Sequence, residues 1–99
     1  MVELLLNERE TQKGRLVAVC EADLLGESFE NGELSLTVNE EFYDGQEVDE
    51  DAVVDSLANC SVANIVGTKA VEIAIEHGFV EEENVLDIGE TRHAQLLWM

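Results

Sequence analysis

The stretch SVANIVGTKAVEIAIEHGFV, residues 61–80, decides how the second half of the chain folds, because apolar residues dominate it and glycines divide it. The pattern predicts a short helix over 61–66 that ends at Gly67. A second helix then runs over 68–77, with an apolar surface broken by one narrow polar stripe, so we expect it to be mostly buried. Gly78 follows where a left-handed C-terminal cap belongs.

Branched apolar runs at both ends of a polar stretch open the chain. VELLLN (2–7) and RLVAVCE (15–21) flank ERETQKG (8–14), which predicts a β-hairpin with a long loop. NGELSLTV (31–38) predicts a third strand, because an Asn-Gly turn signal precedes a run in which apolar and polar residues alternate. The apolar members of that run, expected to face the core, are Leu34, Leu36 and Val38.

The rest of the chain predicts one more helix and two closing strands. Asp49 is an expected N-cap for a helix whose apolar stripe includes Val53 and Leu57. EEENVLDIG (81–89) predicts an acidic turn and a short strand, and a loop from Gly89 to Arg92 leads to a last strand, HAQLLWM, that contains Trp98. We therefore expect one α+β domain over residues 1–99: an N-terminal antiparallel hairpin plus a third strand, two or three helices in the second half, and closing C-terminal strands.

The charge balance is extreme for so short a chain. Five Lys and Arg residues stand against 23 Asp and Glu residues, which gives a net charge of -18. The acids are spread among strong apolar periods, so the composition favours a folded protein over an acidic tail. Such a chain repels itself in dilute buffer, whereas in molar salt the Debye length is only about 3 Å. The composition therefore predicts a salt-adapted, haloarchaeal and cytoplasmic protein.

Other residue counts limit the chemistry that we expect. Cys20 and Cys60 stand in apolar contexts without CxxC spacing, as small buried hydrophobes do. Two Cys and two His without characteristic spacing predict no metal site. No segment has the 18 or more apolar residues of a bilayer-crossing helix. We expect a soluble intracellular protein with no cofactor and no membrane association.

Several motifs in the expected order resemble one family over nearly the whole chain. They are ADLLGESF, EEFYDG, SVANIVGTKAVEIAIEHGFVEEENVLDIG and HAQ. Together they resemble the archaeal family known as domain of unknown function 424. The resemblance implies an archaeal cytoplasmic protein and carries no mechanism with it; members tend to be encoded near translation machinery, which is an associational hint. One departure stands before HAQ, where the family usually has glycine and proline and this chain has Glu90, Thr91 and Arg92.

One group of residues is a candidate ligand site. His93 and Gln95 lie on the same face of the predicted last strand, beside a glycine loop, and Asn64 belongs to the most specific family motif. Gly67, Thr68 and Lys69 at a helix start suit contact with a single phosphate, although the P-loop pattern is missing. A histidine in such a place is commonly structural. Cys20 or Cys60 could also form a nucleophile pair with His93, but neither cysteine has a nearby cation in the sequence that would activate its thiol.

A second group is a candidate contact surface for a partner. Of the five cations, Arg9, Lys13 and Arg15 fall in or beside the first hairpin loop. This clustering favours contact with RNA or a protein, and an exposed polar loop explains it equally well. Phe42 and Tyr43 are a second candidate contact, or they pack beneath their acidic loop. With so few cations we expect no non-specific nucleic-acid binding.

Two classes of function are consistent with these features. The first is a small non-enzymatic binding module that joins a protein or ribonucleoprotein partner of the translation apparatus. The second is a small enzyme or ligand-binding protein with a site around Asn64, His93 and Gln95, which should gather these residues around a concave pocket.

Overall fold

The computed structural model describes residues 3–12 and 14–97, which form an α+β domain. Its strands and helices, in chain order, are β1 (Leu4–Thr11), β2 (Gly14–Glu21), β3 (Ser28–Asn31), β4 (Leu34–Thr37), α1 (Glu40–Tyr43), β5 (Gln46–Val48), α2 (Glu50–Ala58), β6 (Val62–Val66), α3 (Thr68–Glu76), β7 (Leu86–Ile88) and β8 (Thr91–Leu97). Single 3-10 turns lie at Ala22–Leu24 and Glu82–Asn84. The predicted class, with strands first, helices in the second half and closing strands, is confirmed.

Six strands form one mixed sheet in the order β5-β1-β2-β6-β8-β7. All neighbouring pairs are antiparallel except β2 and β6, which run parallel. The strands β3 and β4 form a separate two-stranded hairpin. The centre of the sheet therefore combines the N-terminal hairpin with segments more than 40 residues further along the chain.

Each face of the sheet carries its own hydrophobic cluster. Alternate side chains of β1, β2, β6 and β8 pack against α2 and α3, and fully buried members of this cluster include Val17, Ile65 and Ile73. On the opposite face Cys20 and Val66 pack with Val38 and Tyr43, which belong to the segment that includes β4 and α1. This second cover is smaller than the first, and it leaves part of its face open.

The first hairpin is longer and its loop tighter than the sequence predicts. Pairing continues to Thr11 opposite Gly14, so the predicted long loop is wrong and only two residues separate the strands. Glu10 lies opposite Arg15, and the two side chains form an ion pair of 2.8 Å. The polar stretch therefore extends the ladder through cross-strand pairs of opposite charge instead of leaving it.

The predicted helix over 61–66 is also wrong, because Val62–Val66 is the central strand β6. Ala63 and Ile65 face the helices, whereas Val66 packs against the second cluster. Apart from Asn64 the run is apolar on both sides, which suits a central strand, and its periodicity resembles that of a buried helix. Gly67 then turns the chain with φ at 117°, where a side chain would be strained.

Both long helices follow the predicted capping. Asp49 accepts a hydrogen bond from the Ala52 amide at 2.9 Å and caps α2. At the end of α3, Gly78 has φ at 77°, and the Phe79 amide donates to the Ala74 carbonyl at 2.9 Å. That bond and the one from Gly78 to Ile75 define a Schellman cap.

The predictions for the third strand and for the C-terminal strands are confirmed with smaller changes. The β3–β4 hairpin turns at Asn31-Gly32, but of the three apolar side chains expected to face the core only Val38 is fully buried, while Leu34 is 45% exposed. The turn before β8 covers residues 89 and 90 alone, so Thr91 and Arg92 belong to the strand. Trp98 lies outside the described residues.

Candidate functional site

One half of the second sheet face lies outside the second hydrophobic cluster, and α1 contacts it at Arg9. Register pairs place Arg9 beside Leu16, Leu16 beside Val62, and Val62 beside Leu97, so one row crosses four neighbouring strands. A second row brings Asn64 beside Gln95. We call these six residues the open face: Arg9, Leu16, Val62, Asn64, Gln95 and Leu97.

The open face is exposed and lacks negative charge. Arg9, Gln95 and Leu97 are exposed, and Leu97 at 61% is the most exposed of the large apolar side chains in the described chain. Leu16, Val62 and Asn64 are half-buried. None of the six is acidic, although 23 of the 99 residues are. Side chains that face water on this protein are commonly carboxylates, so a partly apolar face whose one charged member is Arg9 is a distinct surface.

The candidate ligand residues divide between this face and other places. Asn64 and Gln95 lie opposite each other in neighbouring strands, at the centre of the open face. His93 lies one row further along the same sheet face, opposite Val66, where it is half-buried. Burial lowers the pKa of His93 and favours the neutral ring. The structure thus brings the two amides together and places the imidazole beside the covered half.

The start of α3, where Gly67, Thr68 and Lys69 were candidates for a phosphate contact, already holds an anion. The Glu21 carboxylate accepts hydrogen bonds from the Lys69 amide at 2.8 Å and the Ala70 amide at 3.3 Å. Gly67 is the N-cap and has no side chain to cap the helix, so Glu21 at the end of β2 takes that role. Sequence reasoning missed Glu21, although an acid that closes an apolar strand was a visible signal.

The basic cluster predicted at the first hairpin divides between the two sheet faces. Arg9 lies on the open face, whereas Arg15 alternates with it and points to the helix side. There Arg15 pairs with Glu8 at 3.5 Å and Glu10 at 2.8 Å. Lys13 lies outside the described residues.

The two aromatic candidates in α1 take different positions. Tyr43 is buried, 5% exposed, and burial raises its pKa to about 12. Phe42 is half-buried next to the open face, and the Arg9 guanidinium carbon lies 5.4 Å from its ring centroid. Of these two aromatic side chains, Phe42 is therefore the one near the surface, and Arg9 stacks on it.

The cysteines lie apart from His93. Cys60 belongs to the cluster on the helix side, the opposite side of the sheet from His93. Cys20 and His93 share a face, but Val66 lies between them in register, so two strand spacings of about 4.8 Å separate them. Burial raises the pKa of both thiols, that of Cys20 to about 11. Both cysteines thus have the properties of inert core residues.

One surface cavity is lined by other residues. Its volume is about 480 Å³, and its lining is Asp23, Leu24, Glu27, Ser28, Phe29, Glu30, Gly89 and Glu90. It contains none of Asn64, His93 and Gln95. Within residues 3–12 and 14–97, no three His, Cys, Asp or Glu side chains converge as a metal site, and no helix is long and apolar enough to cross a bilayer.

These features define a small α+β protein with a mixed six-stranded sheet, two helices on one face and a partly open second face. The chain belongs to the family described as "Protein of unknown function (DUF424)", whose model matches residues 8–99. Its fold is similar to that of an uncharacterized conserved protein from Methanopyrus kandleri, with a TM-score of 0.78 and 24% identity over 98% of this chain and 95% of that one. No functionally curated protein matches the chain.

Proposed function

We propose that this protein is a small non-enzymatic interaction module, which docks a protein component of the translation apparatus, or of another ribonucleoprotein, on its open face. The observation that carries the proposal is a surface without acidic residues across four strands of a protein with net charge -18. An apolar surface that faces water is a common mark of an interaction site. The apolar row of Leu16, Val62 and Leu97, of which Leu97 is the most exposed, is therefore the expected apolar part of the interface.

The polar residues of the face suit protein recognition. Asn64 and Gln95 lie side by side, and each amide group both donates and accepts hydrogen bonds. Such groups can pair with backbone or side-chain groups of a partner, while Leu16, Val62 and Leu97 supply apolar contact. This combination of an apolar centre with a few polar groups is typical of protein interfaces.

The size of the open face gives information about the partner. The open face spans four strands that lie about 4.8 Å apart and two rows of side chains, so its area is on the order of 300 Å². A stable interface buries about 800 Å² on each partner. The contact must therefore extend beyond the open face to the surrounding surface, which is rich in acid, and a basic rim on the partner complements it.

A basic rim is consistent with a protein component of a ribonucleoprotein. Proteins that bind RNA carry Lys and Arg in clusters that neutralise phosphates. RNA itself is a poor partner for this chain, because its net charge repels a polyanion. The tendency of family members to be encoded near translation machinery, which the sequence resemblance implies, directs the proposal to that apparatus.

The test is an affinity purification of the tagged protein from its own cells at native salt, with protein and RNA in the eluate identified. We expect ribosomal or initiation proteins to be recovered with the wild-type chain. Leu97→Glu should abolish their recovery, because it places a charge at the most exposed apolar position of the open face. Leu34→Glu is the matched control, since Leu34 is also an exposed leucine, at 45%, and lies on the separate β3–β4 hairpin.

Two results would contradict the proposal. In the first, nothing is recovered beyond the tagged chain. In the second, Leu97→Glu and Leu34→Glu recover the same components in equal amounts, so that the open face has no part in the contact. Melting curves of both variants exclude unfolding as the cause of any loss.

A further inference from the structure

Arg9 differs from the other described cations because it has no carboxylate partner. The other three form ion pairs: Arg15 with Glu8 and Glu10, Lys69 with Glu50, and Arg92 with Glu82 and Asp87. Within residues 3–12 and 14–97, Arg9 is the one Lys or Arg side chain with no carboxylate oxygen within 4 Å. Among the described cations of this acidic protein, the one without such a pair lies on the open face.

The position of the Arg9 side chain is fixed by neutral groups. Its Nη2 donates to the Glu41 carbonyl, and its Nε donates to Asn7 Oδ1 at 3.4 Å. The guanidinium also stacks on Phe42. In the described chain these hydrogen bonds use two of the five N–H donors of an arginine. The group keeps its positive charge and most of its donors while its orientation is already set, which lowers the entropic cost of binding.

We propose that Arg9 is the anchor of the docking surface and receives a carboxylate of the partner protein, from an Asp or Glu side chain or a C-terminus. This inference rests on the proposed function and adds the chemistry of its polar contact. The planar guanidinium matches a carboxylate in a two-pronged hydrogen-bonded pair. Leu16 neighbours Arg9 in register, so that pair lies at the edge of the apolar row and is partly shielded from water.

A protein carboxylate fits this position better than an RNA phosphate. Binding of RNA draws its affinity from several phosphates neutralised together, whereas the open face offers one guanidinium. The net charge of -18 opposes a strand of phosphates more strongly than one carboxylate on a basic protein. Asn64, Gln95 and the apolar row complete the contact with a protein surface.

The experiment repeats the purification from native cells with tagged Arg9→Gln, Arg9→Lys and Arg15→Gln chains. We expect Arg9→Gln to lower recovery of the translation or ribonucleoprotein component at least about tenfold, in the range observed for hot-spot residues. Arg9→Lys should keep part of the recovery, because the positive charge remains while the planar, two-pronged geometry of the guanidinium is lost. Arg15→Gln should have little effect, since Arg15 lies on the helix side. Nuclease treatment of the extract should leave recovery unchanged.

A charge exchange then tests the pair itself. Once cross-linking maps the partner residue opposite position 9, Arg9→Glu should abolish recovery, and changing that partner carboxylate to arginine should restore it. A merely structural role for Arg9 predicts no such rescue.

Each other outcome overturns the inference in a distinct way. If Arg9→Gln recovers as much as wild type while Leu97→Glu recovers nothing, the docking function stands and the Arg9 anchor is wrong. If nuclease abolishes recovery, the contact depends on RNA, and the assignment of a protein carboxylate to Arg9 is wrong. If the wild-type chain recovers nothing, the proposed function fails, and this inference fails with it.

Discussion

Replacing Glu21 with alanine is expected to lower the free energy of unfolding by about 2–3 kcal/mol, because it removes the cap of α3. The Glu21 carboxylate is 8% exposed and accepts hydrogen bonds from Lys69 and Ala70. The N-cap residue Gly67 has no side chain that can replace it. The variant would therefore leave the first turn of a buried helix without its acceptor.

The magnitude follows from three contributions. Loss of an N-cap acceptor typically costs about 1 kcal/mol. Loss of a partly buried anion at the positive end of a helix costs up to about 2 kcal/mol. The Ala70 amide belongs to a fully buried residue, and a buried donor without a partner costs about 1–3 kcal/mol. These contributions overlap, which is why we expect about 2–3 kcal/mol and not their total.

The assay is chemical or thermal unfolding followed by circular dichroism in molar salt. In a domain of this size, that loss corresponds to a decrease of roughly 10–20 °C in the melting temperature. Glu72→Ala is the matched control, because it removes the same charge from an exposed position of α3. Glu21→Gln keeps an acceptor oxygen and should cost about 1 kcal/mol. Equal losses for Glu21→Ala and Glu72→Ala would refute the capping role.

Three further predictions concern the core, the charge and one glycine. Burial raises the Cys20 pKa from 9.0 to about 11. The contribution of Cys20 to the free energy of unfolding should therefore be fully present below pH 9 and decrease by roughly 2 kcal/mol up to pH 11, since the unfolded thiol ionises first. Burial also raises the pKa values of Tyr43 and Cys60, so Cys20→Ala should make the slope of pH-dependent unfolding curves shallower without removing it. The melting temperature should rise from 0.1 M to 2 M salt, and a salt-independent curve would contradict the role given to the acidity. Gly67→Ala should strongly lower the free energy of unfolding, because a Cβ at that position would overlap the Glu21 carboxylate. The same substitution should lower it less in a chain that already carries Glu21→Ala, since the overlapping carboxylate is then gone.

Local signals were sufficient where an element is amphipathic or capped. The α3 helix has a narrow polar stripe and a glycine cap, and α2 has the Asp49 cap, so both were predictable close to their bounds. The strand β6 was not, because four of its five residues are apolar and so short an apolar run has no periodicity that separates a strand from a helix. The exposed ends of β1 and β2 were missed for another reason: their side chains are polar, and cross-strand ion pairs support them.

The candidate site depended on contacts that are distant in sequence. Asn64 and Gln95 were predictable as candidates from their motifs, but their pairing requires β6 to be a strand beside β8. The division of Arg9 and Arg15 between two faces depends on the register of the first hairpin, since one residue along a strand changes the face. The apolar row of Leu16, Val62 and Leu97 exists only once four strands are in register.

A covalent footprint of the side chains, made on the free protein and on the complex recovered from native cells, reports which residues the partner covers. We expect Leu97, Val62 and Leu16 to lose labelling in the complex, while Leu34 and Leu86, both exposed leucines outside the open face, keep theirs. Protection of Leu34 or Leu86 with unchanged labelling of Leu97 would contradict the assignment of the open face as the docking surface.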